Sequence, residues 1–540
     1  MKKRIIPIAS ALLITLPLTS CKDKVEYSNG EIMNSSFDDS MNHWTTSSLG
    51  ISIDSDNFLH IINNNSEEEI NQKINNLEPG YYTLKAKCKN DCNQEYCYIY
   101  GKGSNQEAQM TSIPLSYSNT WKDVIVRGIK VDKDGLLEIG IKSFGEKGDS
   151  SFDEFMLSYE GDTYKPILYG GAISWLDWEE AKGAKYYDFN KKEDDALKIL
   201  KDNGMNFVRL ELYNNPGSFI DSEGNYFPKD YKNPEAIFKL AKRAHDLDMA
   251  IQLSFMYSDY WENKSFPTDW KKIIDEIPNY NGKIERLSTL VYDFTYSYMK
   301  RLMDNDIFCE YVSLGNEIDP GILLPYGSSS DSEDSKKALA KLLNSGYKAV
   351  KDASPSSKVV LHLGCNANDM FWSNQNGSGR FFFDLMKEYK VNYDIIGTSF
   401  YPFWAQTTSE YAIKTKLDLN DFTEWCKLMN KTYKKDVLIM ETGYNWGTPG
   451  QLSNNGAYDN IYPSTPIGQR NYMYDLVNTM KLLDGLCVGC LYWDPVLVRQ
   501  EGIGYALYDN DKARMNVVET TTFFDYDHNA LPVMNAYKYN

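Results

Sequence analysis

From Lys165-Pro166 onward the sequence alternates between short apolar runs and longer stretches with helical periodicity. Eight runs read as strands: Ile167 to Ser174, Asn206 to Tyr213, Ala250 to Tyr257, Glu310 to Gly315, Val359 to Gly364, Asp394 to Tyr401, Asp436 to Glu441 and Gly489 to Trp493. Helix-like stretches lie between them. Asp194 to Asp202, Glu235 to Asp248, Ser335 to Asp352 and Asp421 to Tyr433 carry apolar residues at i, i+3 and i+4. Alternation of this kind argues for a parallel sheet with crossover helices. Eight units over about 375 residues is the count expected of an α/β fold of the (β/α)8 TIM-barrel type with generous loops. No internal sequence repeat is visible.

The preceding stretch has a different texture. Residues 26–162 read as short alternating strands, such as Tyr81 to Ala86, Tyr96 to Tyr100, Asp123 to Val131 and Leu136 to Ile141, separated by Asn, Asp, Gly and Ser clusters. Helical periodicity is nearly absent, so an all-β sandwich is expected. Its layout resembles the jelly-roll modules that accompany polysaccharide-degrading enzymes. Such a module either grips sugar or acts as a spacer.

Residues 1–20 read as an address. Lys2, Lys3 and Arg4 precede an apolar segment from Ile5 to Leu18, too short for a typical spanning helix. Leu18-Thr19-Ser20-Cys21 looks like the lipobox of bacterial lipoproteins, in which the cysteine becomes the lipidated N-terminus. That resemblance implies an outer-membrane lipoprotein, surface- or periplasm-facing, tethered through Cys21 and residues 21–25.

A formal net charge of −18 argues against a nucleic-acid partner, because phosphate binding needs a basic surface. A neutral substrate fits better. Aromatic residues reach 14%, which serves either core packing or stacking on sugar faces. The five histidines form no H-x-x-x-H or H-E-x-x-H pattern, so no metal site is expected from them. Cys88, Cys92 and Cys97 lie close enough in sequence for a disulfide in an oxidising compartment. Cys487 and Cys490 have metal-like spacing, but residues three apart on a regular strand face opposite sides, so they read as filler. The acidic loops around Asp509, Asp511, Asp525 and Asp527 leave calcium as a possible ligand, although their spacing fits no standard loop.

In a barrel of this kind the site lies at the C-terminal strand ends. Arg209 ends the second strand. Met256-Tyr257-Ser258-Asp259-Tyr260-Trp261 ends the third, and Gly315-Asn316-Glu317 the fourth. The sixth ends Ser399-Phe400-Tyr401-Pro402-Phe403-Trp404, the seventh Glu441-Thr442, and the eighth Tyr492-Trp493-Asp494. Glu317 and Glu441 each follow an apolar strand directly. Glycosidic cleavage needs one carboxylic acid to protonate the leaving oxygen and one carboxylate to attack the sugar or activate water. It also needs their pKa values split, and Arg209 could keep one of the two ionised.

Asn316-Glu317 after strand four and Glu441 after strand seven resemble the signature of the retaining glycosidases of clan A. More narrowly, residues 166–540 resemble glycoside hydrolase family 53, the arabinogalactan endo-β-1,4-galactanases. The similarity runs through Gly170-Gly171-Ala172-Ile173-Ser174, Phe207-Val208-Arg209-Leu210, Gly321-Ile322-Leu323-Leu324-Pro325-Tyr326-Gly327, Asp394-Ile395-Ile396-Gly397, Gly468-Gln469 and Ala530-Leu531-Pro532. The resemblance implies hydrolysis of β-1,4-galactan and its oligosaccharides by a monomer that requires no cofactor, as a step in pectin degradation. Glu317 is similar to the family's acid/base and Glu441 to its nucleophile. Asn316 would contact the 2-hydroxyl of the sugar in subsite −1. Arg209 and Tyr401 would hold Glu441 ionised, and Trp493 would lie under that sugar. Asp259 is expected at the substrate. Trp404, Trp446 and Trp261 would be either stacking platforms or packing, and His362 either a substrate contact or a structural histidine. Ser254, Met256, Asp319-Pro320 and Asp494 depart from the family pattern, which leaves the subsites near strand three open. Two rivals are a clan A enzyme acting on mannan or xylan and a non-catalytic surface glycan-binding lipoprotein.

Overall fold

A computed structural model describes residues 31–104, 110–261, 265–364, 379–401, 419–447, 462–516 and 518–538. The export segment with Cys21, and Trp404, lie outside them. Ten strands form two five-stranded antiparallel sheets. In the first, Ser66–Ile74, Leu137–Gly145 and Tyr96–Gly103 lie side by side between Thr45–Thr46 and Met110–Pro114. In the second, Gly148–Gly161, Gly80–Asn90 and Ser118–Val131 are adjacent, with Leu59–Asn63 and Ile51–Ile53 beyond. Alternate residues such as Ile70, Leu84, Ile99, Val126, Ile139 and Ile141 fill the space between the sheets, as the two-residue period of a strand requires. Cys88, Cys92 and Cys97 are all free thiols, so the disulfide that their spacing allows is not formed. Cys88 and Cys97 point into this core, and burial pushes both thiols up to about 12.

The eight expected strands close into a parallel barrel: Leu168–Ala172, Phe207–Leu212, Ala250–Phe255, Tyr311–Leu314, Lys358–Leu363, Ile395–Ser399, Asp436–Thr442 and Cys487–Tyr492. Closure comes from pairing the first with the eighth, Leu168 opposite Gly489 through Gly171 opposite Tyr492. At Gly170 a β-carbon would stand 1.6 Å from the Phe207 carbonyl oxygen, so only glycine lets the first and second strands meet. Helices Ala196–Asp202, Pro234–Asp246, Glu333–Ala353 and Leu419–Tyr433 occupy the expected connections. Pro234–Asp246 starts as its sequence suggests: the Asn233 side chain accepts from the amides of Glu235 and Ala236, with proline first inside. No helix among the described residues is long and apolar enough to cross a membrane.

The lumen is layered. Phe207, Tyr311, Val360, Ile395, Leu438, Met440, Val488 and Leu491 make an apolar plug. Two residues further along several strands the side chains turn polar: Arg209, Ser313 and His362, then Glu211 and Ser399. Between lumen residues, Val208, Leu210, Ile251, Leu253, Val312 and Leu361 face outward into the helix layer. Cys487 and Cys490 both join that outer layer, rather than facing opposite sides. The cause is a register shift in which Val437 pairs with Cys487 but Leu438 with Gly489, so one extra residue resets the alternation.

Candidate active site

The fourth strand ends in a turn that projects two functional side chains. Gly315 takes φ 91°, and Glu317 itself takes φ 46°, a left-handed conformation that costs a non-glycine residue energy and recurs at functional sites. Glu317 and Asn316 are half-buried at the barrel rim, and Glu441 is 7% exposed. The facing oxygens of Glu317 and Glu441, and a ring nitrogen of His362, lie within 4.8 Å of one another. Three such donors can hold a cation, but here Arg209 already supplies the positive charge. Its Nη1 lies 2.6 Å from Glu441 Oε1, and its Nη2 donates to Asn316 Oδ1 at 2.5 Å. Tyr401 donates its hydroxyl proton to the other Glu441 oxygen at 3.1 Å. From below, Arg209 Nε donates to Ser254, which belongs to a buried set with Gln252 and Ser313. Ser254 thus holds the guanidinium.

The electrostatics separate the two glutamates. Burial, then the charge of Glu441, pushes the Glu317 carboxyl up to about 8. Burial also raises Glu441, but Arg209 and the Tyr401 hydroxyl pull against it. A second buried pair lies behind Arg209. Burial disfavours an ionised Glu211, yet Lys232 at 2.5 Å and Arg209 more than offset this and hold it below its ordinary value. Two cations, Arg209 and Lys232, then balance two carboxylates, Glu211 and Glu441, provided that Glu317 keeps its proton. Lys232 also sits 3.8 Å over the Trp175 ring. Burial pushes Asp494 up to about 7.

Glu317, Glu441, Arg209, Asn316 and Tyr401 therefore converge. Trp493 joins them, half-buried, its ring 6.2 Å from that of Tyr401. Asp259 does not. It is fully buried, and its carboxylate accepts from the Asn215 and Thr268 amides and the Ser218 hydroxyl, tying two loops together. Trp446 is buried too: its indole N–H donates to Thr522 and its ring packs against Tyr526 at 4.8 Å. Trp261 packs edge-on against Phe227. His362 is wholly buried beneath the rim, so it touches neighbours rather than solvent. The C-terminal acidic loops use their own carboxylates: Asp509 pairs with Lys512, Asp511 accepts from Tyr226, and Asp525 closes the turn to Asn529. Sequence reasoning missed Lys232, which lies in a loop without periodicity. It quoted Ser399 without a role, although the last residue of a barrel strand is a signal in itself.

The family described as glycosyl hydrolase family 53 matches residues 168–537. The chain is 31% identical over 355 residues to the probable arabinogalactan endo-β-1,4-galactanase A of Neosartorya fischeri, covering 64% of this chain and 88% of the relative. Against arabinogalactan endo-β-1,4-galactanase A of Emericella nidulans it is 31% identical over 365 residues, 64% and 90% of the two chains. Among solved structures, the Ignisphaera aggregans GH53 catalytic domain superposes with a TM-score of 0.57 at 26% identity, covering 69% of this chain and 96% of that one.

Proposed function

The chain belongs to glycosyl hydrolase family 53, and from that premise we propose that it cuts β-1,4-galactosidic linkages inside galactan and type I arabinogalactan with retention of configuration. The observation that carries this is the pair of carboxyls, within 4.8 Å at the rim of a closed barrel and unequal in acidity. Retaining enzymes hold their carboxyls roughly 5–5.5 Å apart, too close for a water between carboxylate and sugar. Glu317 gives its proton to the glycosidic oxygen while a Glu441 oxygen bonds the anomeric carbon and the C–O bond breaks. A water then attacks that carbon, gives its proton to Glu317, and releases Glu441. Asn316, its Oδ1 held by Arg209, presents amide N–H groups to the sugar's 2-hydroxyl. Trp493 lies under the ring. Both chemical roles are filled by carboxyls, so no cofactor is called for.

Glu441→Gln tests the reading: galactan hydrolysis falls to background, and Glu441→Ala regains turnover with azide, giving an α-galactosyl azide. Release of oligosaccharides from Glu441→Gln at the native rate would falsify it. Assays on mannan and xylan separate the clan A rivals. For location, the basic start, the apolar run and Cys21 support an outer-membrane lipoprotein. Labelled palmitate should enter the native protein and not Cys21→Ala.

A further inference from the structure

Glu317 touches more than its catalytic partner. Ser399, the last residue of the sixth barrel strand, donates its hydroxyl proton to Glu317 Oε1 at 2.6 Å. On the fifth strand, His362 places its Nε2 3.0 Å from the Ser399 oxygen. Both residues are fully buried. A hydroxyl has one proton to give. If Ser399 gives it to Glu317, the Ser399 oxygen must accept from His362, so Nε2 carries the ring hydrogen and Nδ1 is a bare acceptor. The reverse chain, from Glu317 through Ser399 to His362, needs the hydrogen on Nδ1. That atom has no hydrogen-bond partner among the described residues, and a buried N–H without an acceptor is a rare and costly arrangement. A doubly protonated ring fails for the same reason, and burial and the neighbouring Arg209 charge hold its pKa well below the ordinary value. Were Ser399 to accept from both, its own buried proton would have no acceptor among the described residues, so one arrangement remains: His362 donates to Ser399, and Ser399 to Glu317.

Resting on Glu317 as the acid/base, we propose that Ser399 and His362 are positioning residues that reserve Glu317 Oε1 as an acceptor, confine the catalytic proton to Oε2, and steady the carboxylate once that proton has left. The carbonyl oxygen of a carboxylic acid is the better acceptor, so an oxygen that receives a hydroxyl proton in both states is the one that carries none. Among the described residues, charged groups that bear on Glu317 are Glu441 and Asp319, which oppose its ionisation, and Arg209, which favours it. His362 stays neutral throughout.

The test is Ser399→Ala, with Ser399→Thr as the conservative partner and His362→Phe removing the donor behind it. Ser399→Ala takes a hydrogen bond from the carboxylate. The Glu317 pKa therefore rises, and the alkaline limb of kcat/KM on galactan moves to higher pH. The kcat falls about 10–100-fold, a part of the roughly 10²–10⁴-fold that general acid catalysis contributes, and KM changes little. Threonine restores both rate and limb, and His362→Phe falls between. On a 2,4-dinitrophenyl galactobioside the first step needs no acid, so the burst of dinitrophenolate survives in Ser399→Ala. An alkaline limb unmoved in Ser399→Ala, or equal loss on galactan and on the burst, overturns the proposal. Glu317→Gln separates the two levels. If it loses galactan hydrolysis while Ser399→Ala leaves the limb in place, the positioning role alone fails; if Glu317→Gln is fully active, the acid/base assignment fails with it.

Discussion

The Glu317 carboxyl is held protonated by burial and by Glu441, and that arrangement works against the fold as pH rises. A carboxyl raised from 4.5 to about 8 is at no disadvantage below its unfolded pKa. Between the two values the unfolded chain releases a proton that the folded one keeps, so stability is lost as pH climbs toward 8. Glu317→Gln should therefore gain thermal stability relative to the native protein between pH 4 and pH 8. The gain is on the order of 2 kcal/mol once solvent reaching the half-buried carboxyl is allowed for. Equal melting shifts at pH 4 and pH 8 would contradict the burial argument. Arg209 acts in the opposite sense on Glu441. Arg209→Met leaves a buried carboxylate without its cation, so Glu441 takes up a proton at higher pH. The acidic limb of the rate profile should move up, and kcat should fall about 10²–10³-fold, the loss typical of a removed electrostatic partner. A pH profile of unchanged shape would mean that the ion pair only orients the side chain.

Among the elements, the seam between the first and second barrel strands depends on one missing side chain. Gly170→Ala would push a methyl group into the Phe207 carbonyl, which is backbone and cannot swing aside. Closure would have to open at that seam, and Arg209, two residues along the second strand, would move with it. Expected is a large drop in melting temperature, or no folded protein at all. Native-like melting of Gly170→Ala would show that the strands can separate. The bulge beside Val488 teaches the complementary lesson: a two-residue period is reliable only until a strand gains a residue.

At the scale of the whole molecule, the sandwich is seated on the barrel helix Pro466–Leu482, which follows the Glu441 strand. Lys122 pairs with Asp475 at 2.7 Å, and Ser116 and Tyr462 also donate to that carboxylate. Asn478 bonds the backbone at Asp123 and Ile125, and Arg127 reaches the Lys481 carbonyl. Lys122→Met removes one charge from a largely buried pair and leaves the other, a change worth about 2–4 kcal/mol at such a site. Calorimetry should show the sandwich and barrel unfolding together in the native protein and the sandwich melting first in Lys122→Met. One unshifted transition would mean that the ion pair is incidental to the docking.

Periodicity alone was enough for the architecture, because eight apolar runs at strand spacing, parted by helical stretches, have few ways to bury their faces other than a barrel. The strand-end rule likewise singled out Glu317, Glu441 and Arg209, and the family resemblance added Tyr401, before any contact was known. Asp259 carried the same strand-end signal, yet the folded chain turns it into a tie between loops, and of the two readings left open for Trp446 the ring takes the packing one, against Tyr526. Lys232, Ser254 and Ser399 became part of the site only through side chains 21 to 82 residues away in the chain. Local sequence determines which way a strand residue points wherever the two-residue period runs unbroken, which it does not at Cys487–Tyr492. Which partner it meets, and so whether its charge is balanced, its proton held or its edge left open to sugar, depends on distances that only the closed barrel sets.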